Sequence, residues 1–523
     1  MDEYVYSNAE ENQPVPEYPA SAAEELPTAP FFPTGKRECV FGVFLLILGC
    51  LLCNSMFFAG LNLGFALFAG CIILCSTVYL LVCGHKFTVY SGILLALSLV
   101  LCAAFARSDD AFVKFIQFCF LLASTNLGLC LLAGQNRRDP KGVTSLLDIP
   151  RTAFMLGLGK LPETFRGVVW GVRNSGTAGK KGSAVLLGLV IAIPLLCIVI
   201  PLLISADAAF DALLQQLPDW DVPEIFVSLL TGVALAVFLY ARGAALQHAP
   251  KDVPAAQQRK GLSPLTVNTV LIAIALVYVV YLISQLAYFS GGFSGILPKG
   301  YTMAEYARRG FFEMAWLCAI NLAILALAVG LVAKETAAPL LTRLICLFIG
   351  LVTLFLVTSA SAKMFLYIDA YGLTRLRVLT QVIIFFLGIT TVLVCIWLFA
   401  PKLPYMKAVL LIALVMGTAV AWADVDTVVA RYNVNAYQSG KLETIDVDYL
   451  DSLGRGAVPY IAQLLDDPNT EVADAARNAL TIYYGPGRLY AKPTLTEDFR
   501  EWNYVNCIAD DYLLFQLWYF KES

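Results

Sequence analysis

Apolar runs long enough to cross a bilayer recur through this chain, and they limit its fold more than any other feature. A hydrocarbon core about 30 Å thick takes roughly 20 residues of α-helix, and a helix satisfies its own backbone polar groups where no water is present. Runs of that kind lie at 39–59, 62–83, 89–106, 112–134, 184–205, 223–242, 266–288, 312–333, 343–362, 378–399 and 405–422. They predict an all-α fold, a polytopic α-helical membrane bundle of about 11 spans over residues 38–423, with a small C-terminal helical domain at 424–523. Only 14% of the residues are charged, against about 25% in soluble proteins, which excludes an ordinary soluble enzyme.

Residues 1–37 are acidic and Pro-rich without apolar periodicity, the pattern of a disordered tail. The tail is too long and acidic for the n-region of a cleaved signal peptide, so the first apolar run is expected to remain as a span. Loop charge sets the expected orientation. The segment 135–183 holds nine Lys and Arg, among them Arg137, Arg138, Lys141 and Lys180, against Asp139, Asp148 and Glu163. That basic loop is expected in the cytoplasm, with the N-terminus on the same side. The loop 206–222 has Asp207, Asp211, Asp219 and Asp221 and no base, as an outer loop should. Following this frame, 289–311, 363–377 and the C-terminal domain emerge on the extracytoplasmic side of a cell membrane. Basic residues there strain the rule, so either a span between 243 and 362 is miscounted or function keeps them outside. Within 135–183, amphipathic helices near 146–158 and 162–173 would lie in the interface and contact anionic lipid.

Several classes of chemistry lack their residues. His85 and His248 are far apart with no Cys or carboxylate at ligand spacing, so no metal site and no cofactor is expected. Cysteines cluster in apolar runs as packing residues, and Cys507 stands alone in the polar domain. SGTAGKKGS at 175–183 lacks the first Gly of a phosphate loop and the Ser or Thr after its Lys. The acidic C-terminal domain offers no basic surface to nucleic acid. Pro194 and Pro201 kink the run at 184–205, but no run carries an ionisable residue at its centre, which argues against an ion-coupled pump. The Asn and Gln in the runs, such as Asn126, Asn268, Asn321 and Gln381, are expected to bond between helices.

The densest charge beside any run is KMFLYIDAYGLTRLR, with Lys363, Tyr367, Asp369, Tyr371, Arg375 and Arg377. Such charges are costly near a bilayer unless paired or wetted. In the loop 289–311 a helix start at Thr302 would bring Glu305, Arg308 and Arg309 onto one turn, with Glu313 one turn further. Their spacing allows a self-neutralised helix end. It also allows a shallow outer pocket shared with 363–377, in which Arg forks hold a phosphate or carboxylate and tyrosines stack on a sugar or ring. The C-terminal domain predicts helices at 456–466, 470–484 and about 496–519, the last rich in aromatics suited to headgroup depth.

Three places, AEYARRGFFEM at 304–314, LYIDAYGLTRLR at 366–377, and ARYNVNAY at 430–437 with DYL at 448–450, resemble the bacterial membrane family catalogued as domain of unknown function 4173, with its related family 4153. The resemblance implies a bacterial multi-pass membrane protein and supplies no reaction, cofactor or catalytic residue. The expected function is recognition of an envelope component or anionic small molecule at the outer face, in a transport-related, scaffold or sensor role. The alternative is a membrane enzyme acting on a lipid- or polyprenyl-linked phosphate, with Asp369 or Glu305 as base. That alternative lacks a close carboxylate pair, a His motif and a metal ligand set.

Overall fold

The computed structural model describes residues 35–135, 148–174, 222–248, 262–292, 311–331, 340–484 and 499–510, with single positions between 188 and 206. The N-terminal tail, Pro194 and Pro201 and the turn bearing Glu305, Arg308 and Arg309 lie outside the described residues, as do the acidic stretch 207–221 and both ends of the basic loop.

The regular elements are helices, as the periodicity predicts. In order they are α1 (Lys36–Asn54, extended by a π-helical turn over Ser55–Ala59), α2 (Leu63–Val82), α3 (Val89–Ala103) and α4 (Ala111–Leu132). Next come α5 (Leu156–Asn174), α6 (Val222–His248), α7 (Pro264–Gly292), α8 (Phe311–Leu331) and α9 (Leu340–Tyr371). The chain continues through α10 (Arg375–Phe399), α11 (Tyr405–Ala423), α12 (Val425–Gln438), α13 (Val447–Ser452) and α14 (Thr470–Tyr484). Nine helices among the described residues are long and apolar enough to cross a membrane, and α8 adds a shorter apolar stretch, Glu313–Ala328. The run at 184–205 falls mostly outside the described residues.

Polar residues at the span ends start the helices. Thr88 and Ser91 exchange N–H to hydroxyl bonds at the head of α3 (3.1 and 3.0 Å). Asp110 accepts from Phe112 N and Val113 N at 2.7 and 2.9 Å at the head of α4. The head of α2 has no side-chain cap; its Leu63 and Gly64 N–H groups donate to the carbonyls of Trp502 and Arg500 at 3.2 and 3.1 Å. Gly64 permits this approach, since a Cβ there would stand 2.9 Å from Arg500 Cα.

Two apolar cores run through the bundle. One joins α1–α4 with α6 and α11 through Phe41, Leu45, Leu101 and Phe105; the other joins α7–α11 through Leu271, Leu325, Leu356 and Ile384. A third, around Val429, Leu450, Ile461 and Leu480, holds the C-terminal segment together. Large apolar side chains remain exposed on the outer helix faces, among them Phe44, Ile47, Val277, Val280 and Ile396, as a lipid-facing surface requires.

Inside, inter-helix bonds pair several of the polar residues. Asn268 accepts from Thr342 at 2.7 Å, Gln381 donates to Ser361, and Asn126 accepts from Arg242 at 2.6 Å. Arg242, the last residue of the apolar run 223–242, lies buried in α6, because the apolar Gly-Ala-Ala-Leu after it carries the helix on to His248. The two amphipathic helices expected at 146–158 and 162–173 form one continuous helical stretch: a short helix over Asp148–Pro150, a π turn over Arg151–Met155, then α5.

Contacts between helix ends fix which ends lie together. Arg37 donates to Val82 O, Tyr79 to Gln247 (2.5 Å), Tyr90 to Lys407 O (3.3 Å) and Thr342 to Asn268, so the start of α1, the ends of α2 and α6, and the starts of α3, α7, α9 and α11 share one end of the bundle. The ends of α1, α3, α9 and α11, the starts of α2, α4, α6 and α10, and the C-terminal domain share the other. We call it the junction end.

Candidate site at the junction of bundle and C-terminal domain

The stretch 363–377 is less of a loop than its charges suggest. Helix α9 runs on to Tyr371, so Lys363, Tyr367, Asp369 and Tyr371 ride its last turns, and only Gly372–Thr374 connect it to α10. Gly372 adopts φ +74, and a Cβ there would meet Asn433 Oδ1 at 2.6 Å. Asn433 clasps the next residue from both sides, accepting from Leu373 N at 2.7 Å and donating to Leu373 O at 2.8 Å. The Tyr449 hydroxyl accepts from Arg375 N at 2.9 Å. Residues of LYIDAYGLTRLR, ARYNVNAY and DYL thus form one joint between bundle and domain.

The two arginines diverge. Arg377 lies 4.1 Å over the Tyr367 ring and donates to the carbonyls of Tyr371 and Gly372, closing the C-terminus of α9. Asp369 pairs with Lys441 at 2.5 Å in the open, while Glu313 is exposed in the first turn of α8 and pairs with none of these residues. Arg375 turns into the junction instead. Its Nε stands 2.6 Å from Asp110 Oδ2 and 2.7 Å from Asp426 Oδ1. Those carboxylates are 2% and 6% exposed, so the arginine neutralises charges that burial would otherwise make very costly.

Around this triad lies a cleft of about 380 Å³. Its walls are the α3–α4 turn with Asp109 and Asp110, the heads of α4 and α10, Asp424 and Asp426 after α11, and the Ser452–Gly456 turn. Asp424 sits between α11 and α12 at φ +50, a left-handed turn that Asp tolerates better than bulkier residues, and its carboxylate accepts from the Thr427 hydroxyl. Burial pushes the Asp426 carboxyl up to about 6, with Arg375 pulling against it. Burial also raises Asp424, opposed by Thr427 and Arg107. The triad leaves valences open. Arg375 Nη1 and Nη2, Asp426 Oδ2 and the buried Asp110 Oδ2 make no hydrogen bond among the described residues; Asp110 Oδ2 has only the ion-pair contact with Arg375 Nε. Among those residues no three His, Cys, Asp or Glu side chains converge as a metal ligand set.

Beside the cleft, residues 499–510 fasten the domain to the bundle. Arg500 reaches Glu224 at 2.9 Å and also bonds Asn54, while Asn503 donates to Ser108 O at 2.8 Å and to Asn62 at 3.3 Å. Lys114, buried in the first turn of α4, donates to the same Asn62 at 2.8 Å.

Residues 40–464 match the family described as Domain of unknown function (DUF4153). The chain belongs to that family. It is the related one of the two families that the sequence motifs point to. The DUF4153 match runs from α1 through the bundle into the C-terminal core and includes every residue of the Arg375 triad; the 499–510 fastening lies beyond it. No curated protein and no solved structure matches the chain.

Sequence reasoning found Arg375 through its density of charge and missed Asp110, Asp424 and Asp426. A signal was present in Ser108-Asp109-Asp110, a helix-cap sequence directly before an apolar run, and in the Asp-Val-Asp that follows Trp422-Ala423.

Proposed function

We propose that this DUF4153 chain is a membrane recognition protein whose junction cleft holds a compact component of the cell envelope on the extracytoplasmic side. One observation carries the reading: a cleft at the head of the spans, with a buried Arg–carboxylate triad that keeps an Arg fork and a carboxylate oxygen unpaired. Many interior polar groups of the bundle bond one another, and the cleft brings free donors and acceptors together at a surface that a ligand can reach.

The proposed sidedness rests on charge. The acidic 207–221 leads into the start of α6, at the junction end, while the basic 135–183 follows the end of α4 and 249–264, with Lys251, Arg259 and Lys260 against Asp252, follows the end of α6, at the opposite end. Arg375 and Arg377, which strain the positive-inside rule at this end, have local partners: buried carboxylates for one, carbonyls and a ring for the other. At the opposite end α5 and the turns before it expose Phe154, Met155, Leu158 and Phe165 alongside Lys160 and Arg166, a composition suited to an anionic cytoplasmic leaflet.

The test uses Ser452, which lines the cleft outside the triad. In full-length protein with the native cysteines replaced, Ser452→Cys should react with an impermeant thiol reagent on intact cells, more slowly than in detergent-washed protein. Reaction only after cells are opened would overturn the sidedness. Equal rates in cells and in washed protein would mean an empty cleft and sink the recognition reading. A membrane enzyme on a lipid-linked phosphate is the rival, and the Asp426 carboxyl near 6 is what favours it; time-dependent conversion of a bound lipid by purified protein would decide for it.

A further inference from the structure

We infer that the junction cleft takes the headgroup of a zwitterionic phospholipid bearing a primary ammonium, the phosphoethanolamine class. The inference rests on the recognition reading above and names its ligand.

The open valences specify a pair of opposite charges. Arg375 donates its Nε–H to Asp426 Oδ1, with Asp110 Oδ2 beside it as a second ion-pair partner, and presents Nη1 and Nη2, a planar pair of donors that matches two oxygens of a phosphate. Asp426 spends Oδ1 on the same arginine and keeps Oδ2 free, although its side chain is more than nine-tenths buried. Fork and free oxygen belong to one ion pair, so a ligand that reaches both must carry its anion and its cation close together. An ammonium with N–H groups satisfies Oδ2; a quaternary ammonium has no donor to offer it.

Charge balance argues the same way. Asp110, Asp424 and Asp426 face Arg375 and Arg107, three carboxylates against two cations, leaving one negative charge. Asp109 and Arg455 are each taken up by a partner, Lys114 at 3.4 Å and Asp510 at 3.2 Å. A bare anion would aggravate that excess, whereas a zwitterion brings a positive end to it. Position favours a lipid over a soluble zwitterion. The first turn of α4, the head of α10 and the end of α11 form the wall, which is headgroup depth for helices that span. Phe112, on that wall, is 55% exposed, an apolar surface suited to the glycerol and first acyl carbons.

The experiment titrates full-length protein in detergent with phosphatidylethanolamine, phosphatidylcholine and phosphatidylglycerol of identical short chains, and with soluble phosphoethanolamine, reading retained adducts by native mass spectrometry. Phosphatidylethanolamine should be retained about tenfold over the other two lipids, since each lost charge-assisted bond is worth roughly 1.5–3 kcal/mol. Asp426→Asn should erase the preference, and Arg375→Lys, which keeps the charge but not the fork, should weaken retention. Ser452→Tyr, which fills the rim without touching the triad, should reduce retention with an unchanged melting temperature. Equal retention of the three lipids, or a preference that survives Asp426→Asn, overturns the inference. Competition by soluble phosphoethanolamine at the lipid's own concentration overturns the lipid source. A different retained compound with the same sensitivity to Asp426→Asn overturns the headgroup and leaves the recognition cleft standing.

Discussion

In the middle of the bundle, Asn321 donates to Thr353 at 3.0 Å and accepts from the Tyr278 hydroxyl at 2.5 Å, and all three side chains are buried. At the junction, Arg375 holds two buried carboxylates with one nitrogen and leaves two more nitrogens open to a cleft. The first arrangement is neutral and closed; the second is charged and incomplete. The difference separates polarity used to pair helices from polarity kept available to something else. Within the membrane an inter-helix hydrogen bond is worth about 1 kcal/mol, since an unfolded chain also finds partners for its polar groups. A buried carboxylate has no such latitude.

The largest effect that would sharpen this contrast is expected from Arg375→Ala. It strands Asp110 and Asp426 without their cation, and breaking a buried pair costs about 3–5 kcal/mol; the low end applies because Arg375 is one-third exposed. Asn321→Ala should cost about 1 kcal/mol. Melting of purified full-length protein compares the two directly, and adding Asp426→Asn to Arg375→Ala should recover part of the loss. Similar losses for Arg375→Ala and Asn321→Ala would erase the distinction between the two regions.

The joint beside the triad comes next. Asn433→Ala removes both bonds to Leu373 and leaves a backbone N–H and a C=O short of partners, for about 2 kcal/mol. The loss should fall on the attachment of the domain: hydrogen exchange should rise in 424–465 with little change in α2 or α3. Uniform loosening of the whole chain would mean that bundle and domain unfold as one unit.

The spans were legible because a bilayer demands the same thing of every helix, and α1–α4 and α9–α11 end within a few residues of where the apolar runs do, with the exception of the charged turns at the end of α9. In sequence, Lys363, Asp369 and Tyr371 look out of place in a span and predict a loop there. Helix periodicity nonetheless continues to Gly372, whose positive φ ends it. The cleft was not legible. Asp110 reads locally as a helix cap and performs that role with Oδ1, while Oδ2 faces an arginine hundreds of residues away. A cap that also serves a distant ion pair leaves no separate mark in sequence. Arg242 shows the same limit in reverse, since a cation at the end of an apolar run looks like a loop start until the buried Asn126 partner is seen.

Acidity probes the triad more gently. The Asp426 carboxyl titrates near 6 in the folded protein against about 3.9 in an unfolded chain, so between these values the folded state holds the extra proton. Stability linked to that proton is present at low pH and is lost as pH rises through 6. Asp424, also raised by burial, acts in the same direction. At pH 7 Asp426→Asn should therefore sit closer to, or above, the wild-type melting temperature, and the advantage should shrink by pH 5, where the native carboxyl is protonated. A difference between the two proteins that does not change from pH 7 to pH 5 would show that Asp426 stays ionised throughout.

The smallest effect belongs to the exposed pair at the end of α9. Asp369 and Lys441 meet at 2.5 Å, but both are well exposed, and water and salt screen such a pair on a long flexible lysine. Lys441 also leans toward the Tyr432 ring at 5.8 Å, a contact equally open to solvent. Asp369→Asn should leave the melting temperature and the retained-lipid profile where they were, in contrast to Asp426→Asn, which makes the same chemical change at a buried carboxylate. If Asp369→Asn instead altered retention as strongly as Asp426→Asn, recognition would extend from the cleft onto the exposed end of α9, and free valence inside the cleft would no longer be what distinguishes the two regions.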